Sequence, residues 1–600
     1  MNQRTLVLAV CVASILNAIW FTATTAIPLP SSDDWFFIET FVRKALEGHL
    51  QLTDFFAQRF AGDHSQPLQR LVLLGHLQLA GLDFRIEALV GVAFGILTCG
   101  LLGRTLVDAA ATPDARRRAW WGCAAIFAVG LSLNATMIYT WSLVGLAWIS
   151  LLALVAYWLA VAGMRGSRRI LALGLATFVL ALVTDELAIA GFAAAVGALA
   201  VRDRGRPAAA LQLALSGGAG LLAGRWLIHA MDGAAAAATP GSLGQLVGIA
   251  RDPAAWKVVV VPLADSVVHQ QHLVEWFPRA AGALQVAIAA LLLVLHGAFW
   301  WRALSSRNRP SAPVLVLAVA CMLLFYAAVA GILLSRVAEH GIDYLHQPRY
   351  VMLYALNLIA LLLMGFGSQP AAAGSWRGSA RGWRTVVAAL AVGLVVAQVP
   401  LSRAAWREAP YVRIYSERSA TALAALARDP AHVPASGCPP ILRICLAPPQ
   451  VRASTMALMQ SHALNLFSAR FRARYGLGGL RLPLLSGEPN GRMRPAATAP
   501  ERGGCSVQVV KQGPSRIVPG QAFLRQPNGQ SAFWLTVAPG TPPFEIDFEG
   551  QPVKANRRGE VVTFLHDERQ VRAVQAGRPL RFELRCAGTP VGAFEVAVAR

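Results

Sequence analysis

Charge is what this sequence has least of. Of 600 residues only 14% are charged while 55% are hydrophobic, and the mean hydropathy is +0.49. That shortage excludes a soluble chain of several domains, whose surfaces need far more polar cover. Acid is the scarcer sign, 32 residues against 54 basic ones, for a formal net charge of +22. Such a surplus suits nucleic acid when the basic residues share one face. Here they sit at alternate ends of apolar runs, which excludes a nucleic-acid partner. Cysteine is sparse as well, with eight residues. Cys11, Cys99, Cys123 and Cys321 fall inside apolar runs and read as small buried hydrophobes.

What the sequence has in abundance is apolar runs. A helix needs roughly 20 such residues to cross about 30 Å of hydrocarbon. Runs of this kind lie near 5–28, 86–106, 117–137, 141–163, 168–183, 185–201, 208–231, 281–301, 312–335, 348–366 and 384–401. The first is too long for a signal peptide, and no small-residue cleavage site precedes the acidic stretch, so it is expected to stay as an anchor. Arg104 and Arg116 to Arg118 mark one connecting loop; Arg165, Arg168 and Arg169 mark the next alternate one. Arg202, Arg204 and Arg206 continue the series, followed by Arg302, Arg307 and Arg309, then Arg377, Arg381 and Arg384. By the positive-inside rule these ends are cytoplasmic. The expected fold is a mainly α, polytopic bundle of about eleven spans with its N-terminus inside. Loops 29–85, 232–280 and 336–348 then lie outside, with everything after about residue 402.

The chain is expected to divide into a membrane module 1–401, a helical and loop segment 402–502, and a β-rich domain 503–600. Arg403–Ala427 and Ala453–Tyr475 read as helices. Short alternating runs at Ser506–Val510, Ala532–Val537, Phe544–Phe548, Val561–Phe564, Gln570–Val574, Leu580–Leu584 and Gly592–Ala599 suggest a small β-sandwich. Phe533 and Trp534 read as its core. In an oxidising compartment the four tail cysteines pair, and Cys438–Cys445 with Cys505–Cys586 is the expected choice among three pairings.

Chemistry is expected where charge survives beside the membrane. The first outer loop opens with Ser31-Ser32-Asp33-Asp34-Trp35, then an amphipathic stretch to about Gly48 in which Phe37, Phe41 and Ala45 recur at helical spacing. A second amphipathic segment, Leu68 to Leu79, follows Asp63-His64. Unpaired carboxylates at that depth are costly, which points to function; the alternative is that Ser32 or Asp33 caps the interfacial helix. Thr184-Asp185-Glu186 is a second acidic cluster at an outer junction, able to orient a hydroxyl or bind a cation, or to cap a helix. His269 and His272, at i and i+3, lack an evident third ligand, so no metal site is assigned. Arg336, His340 and His346 crowd the loop before Gln347-Pro348-Arg349-Tyr350 and add positive potential there.

The acidic pair just after the first span, in a long outer loop with two juxtamembrane helices, resembles the GT-C superfamily of polyprenyl-phosphate-sugar-dependent glycosyltransferases. Asp33-Asp34-Trp35-Phe36-Phe37 followed by Gly48-His49-Leu50 is similar to the acidic, aromatic, then glycine pattern of bacterial members. Asp63-His64 stands where some members carry an Asn-Glu-His-Arg string, here without the Arg. Gln347-Pro348-Arg349-Tyr350 is similar to the Arg-Tyr that opens a late helix in many of them. The resemblance covers about residues 1–401. It implies an inverting transfer from a lipid-linked sugar to an envelope glycan, lipid or protein, with Asp33 or Asp34 as general base. Arg349, Tyr350 and His346 would hold the donor phosphate, and Asp185, Glu186, Asp63 and His64 would stand on the acceptor side. No cofactor is implied with certainty, and a divalent cation stays open. The implied place is a bacterial inner membrane with the tail in the periplasm.

Three rivals share parts of this pattern. A flippase or polymerase should show charges within several mid-membrane spans, whose centres here are nearly uncharged. A secondary transporter should show inverted repeats with broken helices, and no clear pair is found. A noncatalytic envelope-assembly scaffold would keep the tail and tolerate loss of the outer carboxylates.

Overall fold

The computed structural model describes residues 3–58, 67–163, 169–184, 186–204, 208–232, 248–249, 251–305, 310–337, 340–367, 377–433, 438–477, 480, 507–514, 516–519, 531–538, 541–553, 555–558, 561–586 and 589–598. Two compact units emerge: Met1–Ser416 with His462–Phe471, and Glu417–Ser461 with Arg472–Arg600.

In the first unit each apolar run carries a helix: Gln3–Thr25, Phe84–Asp108, Pro113–Gly130, Ala147–Gly163, Arg169–Thr184, Glu186–Arg202, Ala208–Asp232, Ala281–Leu304, Ala312–Ile332, Val351–Phe366 and the front of Arg377–Arg428. Among the described residues seven helices are long and apolar enough to cross a membrane, and two apolar ones are shorter, Arg169–Thr184 and Leu187–Arg202. Their outward faces carry exposed Leu171, Leu215, Leu222, Trp226, Val294 and Trp301. An apolar belt of this kind is stable only against lipid, as expected of a membrane protein. Val351–Phe366 and the first half of Ala312–Ile332 are instead buried on nearly every side, within the core. Arg118, Arg302 and Arg384 lie close enough to repel one another, so these three helix ends share one face.

Small residues let two of the helices meet backbone to backbone. A Cβ added at Gly220 would sit 2.1 Å from the carbonyl oxygen of Gly174, and one at Gly174 would sit 3.0 Å from that of Ser216. Arg169–Thr184 and Ala208–Asp232 are thus in close register.

The loop after the first helix is helical, as expected. Asp34–Phe37, a π-helical turn Ile38–Val42 and Arg43–Leu46 run end to end. They bury Trp35, Phe37, Ile38, Phe41 and Val42 and leave Glu47 outward. Pro67–Ala80 is the second helix; it buries Leu73, His76 and Leu77 while Leu71 and Leu79 face out.

In the second unit a disulfide joins Cys438 to Cys445, as expected. Cys586 is also disulfide-bonded, while its expected partner Cys505 lies outside the described residues. Among the described residues nine strands follow: β1 Val509–Gly513, β2 Arg516–Ile517, β3 Ala532–Val537, β4 Glu545–Phe548, β5 Gln551–Val553, β6 Ala555–Arg558, β7 Val561–Leu565, β8 Leu580–Cys586 and β9 Thr589–Val598. They form one sheet of order β1-β3-β7-β6 and one of order β2-β9-β8-β4-β5. Phe533, Phe548, Phe564, Phe582 and Phe594 share a single core, with Phe582 and Phe594 stacked at 4.9 Å.

Four expectations are corrected. The break placed at 401/402 falls inside the continuous helix Arg377–Arg428, and the units divide at 416/417 instead. Ala453–Tyr475 is two helices, Pro449–Ser461 and Ala469–Arg474, because Ala463 and Asn465 take positive φ of 48° between them. Gln570–Val574 is a helix, within Glu568–Gln575, since Asp567 and Gln570 form a capping box that starts it. Trp534 alternates with buried Phe533 along β3 and is only half-buried.

Candidate functional site

The chain leaves the first helix at Thr25 and turns through Ser32, whose φ is +53°. The Ser31 amide donates to Asp34 Oδ2 at 2.8 Å, and the Asp34 amide returns a bond to the Ser31 carbonyl at 3.1 Å. This closed turn folds the Asp34 carboxylate inward, where it is 3% exposed. Burial first, then the nearby charge of Glu87, push its carboxyl well above the usual range, against the pull of the Ser31 amide. Asp33 stays half-buried at the rim and makes no side-chain cap bond to the helix it precedes. Helix capping by Asp33 is therefore set aside.

Two further loop elements close the same cleft. Glu87 lies in the first turn of Phe84–Asp108, buried, and pairs with His76 Nδ1 at 2.8 Å. Arg70 reaches back over the loop: its Nη1 donates to the Asp54 carbonyl at 2.9 Å and its Nη2 to the Ala57 carbonyl, while the guanidinium lies 5.5 Å from the Phe37 ring centre. Asp34, Gln69, Arg70 and Glu87 thus line one narrow cleft together with Phe37 and Leu146. With Glu87 beside it, the buried Asp34 carboxyl is biased towards its protonated form.

Arg349 stands on the single turn Pro348–Tyr350 ahead of Val351–Phe366. Its guanidinium is 5.5 Å from the Tyr344 ring and 5.3 Å from the Tyr350 ring, and it donates to the Tyr344 hydroxyl. Aromatic faces hold the planar cation without neutralising it, leaving its charge for an anion. The short helix Met137–Thr140 touches this turn, and its Thr140 carbonyl also accepts from the Ile27 amide at 3.0 Å, just past the first helix. The chain entering the Asp33-Asp34 turn and the Arg349 turn therefore both meet the same short helix.

His346 belongs elsewhere. Its Nδ1 lies 2.9 Å from Asp265 Oδ2, so it is committed to a buried carboxylate rather than to an incoming phosphate. Asp265 is fully buried, on the helix Lys257–Val267. Its Oδ1 accepts from the Gln270 amide at 3.1 Å, and its carbonyl accepts from Asn134 Nδ2 at 2.8 Å. His269 Nε2 is 2.8 Å from the His346 carbonyl, and the His269 amide donates to Asn134 Oδ1 at 2.7 Å. His272 stacks on Trp276 and reaches the Asn134 carbonyl at 3.2 Å. Burial, then the neighbouring His269, lower the His272 imidazole to about 4. Among the described residues no three such side chains are arranged to hold a metal ion.

Asp63, His64 and Asp185 lie outside the described residues, as does the side chain of Glu186. Sequence reasoning missed Asp265, Asn134, Glu87, His76 and Arg70. For Asp265 a signal existed: it is a lone acid after the apolar string Val258 to Leu263, which marks a charge with a buried partner. Compared with known proteins, the chain matches no family model, no curated protein and no solved structure.

Proposed function

We propose that this protein is an integral-membrane glycosyltransferase that takes a sugar from a polyprenyl-phosphate carrier and adds it to a cell-envelope acceptor on the outer face of a bacterial inner membrane. The observation that supports this reading is that Met137–Thr140 meets both the Arg349 turn and Ile27, the stretch of chain that leads from the first helix into the Asp33-Asp34 turn. In this reading about eleven spans thread the bilayer with the N-terminus inside and the tail in the periplasm.

The division of labour follows from burial. Asp34 is buried and its carboxyl is biased towards the protonated form; Asp33, half-buried at the rim, is the carboxylate an acceptor hydroxyl reaches. As the acceptor oxygen bonds to the anomeric carbon, its proton passes to Asp33 and the bond from that carbon to the phosphate oxygen breaks. The electron pair leaves with the lipid phosphate, whose gathering charge Arg349 balances.

Lipid-linked sugars profiled in a deletion strain test this reading. Accumulation of one polyprenyl-phosphate sugar, cleared by the wild-type gene and not by Asp33→Asn, is the expected result; an unchanged lipid profile removes the reading. Reporters fused after Arg377 and within the tail should behave as cytoplasmic and periplasmic respectively, and the reverse would place the cleft on the wrong side.

A further inference from the structure

His462–Phe471, the turn after Pro449–Ser461 with the first half of Ala469–Arg474, belongs to the first compact unit, whereas Glu417–Ser461 before it and Arg472–Arg600 after it belong to the second. At its centre Asn465 is fully buried, with φ of +48°, a conformation that asparagine tolerates better than most residues. Its side-chain amide donates to the Pro28 carbonyl at 2.8 Å and also to the Leu82 carbonyl, and its backbone amide donates to the Gly81 carbonyl at 2.8 Å. Its own Oδ1 accepts from the Leu466 amide at 2.9 Å, which fixes the orientation of the side chain.

Pro28 and Leu82 are the two ends of the first outer loop. They are laced directly as well, by the Phe84 amide to the Pro28 carbonyl at 3.2 Å and by Arg85 Nε to the Ala26 carbonyl at 2.8 Å. Ser31 and Asp34 follow Pro28 within six residues, and Glu87 follows Leu82 by five. Both carboxylate walls of the cleft thus hang from the two strands of chain that Asn465 fastens.

We propose that Asn465 is a positioning residue for the first-loop site: the turn 462–467 is a clasp by which the C-terminal part of the chain sets the spacing between the Asp33-Asp34 turn and the Glu87 helix. The proposal rests on the glycosyltransferase reading for what the spacing serves, and on hydrogen bonding alone for the clasp itself. Removing the donor takes the Asn465 bond from the buried Leu82 carbonyl and leaves the Pro28 carbonyl to the longer bond from the Phe84 amide alone, which loosens both loop ends together.

Two variants of the full-length protein in lipid nanodiscs separate the possibilities. Asn465→Gly keeps the positive φ and the backbone bond but deletes the side chain; Asn465→Asp keeps the shape but replaces the donor by an acceptor. Hydrogen exchange on peptides covering 26–37 and 80–88 is expected to speed up at least tenfold in both, with 312–332 unchanged. In cells, both variants are expected to leave the carrier sugar as high as Asp33→Asn does. A space-filling role predicts that the near-isosteric Asp behaves as wild type, and that result overturns the proposal, as does unchanged exchange at both loop ends. Faster exchange with normal sugar transfer, where Asp33→Asn still blocks it, also overturns the positioning role. Should neither Asp33→Asn nor the clasp variants alter the lipid profile while exchange rises, the clasp stands and the glycosyltransferase reading falls.

Discussion

The two charge clusters described in the helical unit differ in how their acids are arranged. Around Asp265 a single carboxylate meets an imidazole at 2.9 Å and a backbone amide at 3.1 Å, and Asn134 ties the surrounding segments together. Around Asp34 two acids line one cleft: Glu87 is paired with His76 at 2.8 Å, yet its charge still works against ionisation of Asp34. A satisfied network rigidifies. Two acids on one cleft couple their protons to each other. In the proposed reading the first cluster holds chain segments and the second serves proton transfer.

The strongest test of that contrast is activity. Asp33→Asn is expected to slow transfer by about 10²–10⁴-fold, the usual worth of a general base, read as clearance of the carrier sugar in cells. If neither Asp33→Asn nor Asp34→Asn slows it tenfold, the cleft is structural too and the contrast dissolves. Stability comes next. Asp265→Ala leaves a buried imidazole without its carboxylate and should cost about 3–5 kcal/mol, seen as a large fall in Tm in detergent. Asp34→Asn should cause no such loss; equal losses would put both clusters in one class.

Acid sharpens the picture further. The His272 imidazole drops from 6.5 to about 4 on folding, so the unfolded chain binds more protons between those values. Its contribution is complete above pH 6.5 and is lost as pH falls towards 4, up to roughly 3 kcal/mol. His272→Gln should flatten the acid limb of a Tm against pH curve, and an unchanged limb would show that another group carries it. Asp34 has the opposite sign. Its raised carboxyl favours the fold fully below the ordinary value of 3.8, and that support is lost as pH rises through the folded value. The smallest expected effect is thus a Tm gain for Asp34→Asn at pH 8 that vanishes at pH 3.5; a gain equal at both would assign it to packing.

The apolar helices were legible because lipid imposes length and composition on each segment separately, with no need to know its neighbours. The Asp33-Asp34 turn was legible for a similar reason, two adjacent acids beside a span. Glu87, Arg70 and Asp265 were not, because each gains its meaning from partners distant in the chain: Asp265 from Asn134 and His346, Arg70 from Asp54 and Phe37. His346 looked like a phosphate ligand from its place beside Arg349; only its bond to Asp265 assigns it otherwise. Local periodicity misled at Gln570–Val574, where alternation looked like a strand but a capping box three residues earlier starts a helix.

The contact between Arg169–Thr184 and Ala208–Asp232 has a mechanical consequence. Lipid tails are as apolar as leucine, so the pair is held by fit, and at Gly220 that fit leaves no room for a methyl group. Rods welded along their length bend as one thick beam. The unit's π-helical turns Ile38–Val42, which begins four residues after Asp34, and Leu333–Val337, ahead of the arginine turn, lie outside this pair. A wedge such as Gly220→Ala would force the two backbones apart and turn the beam back into two thin rods.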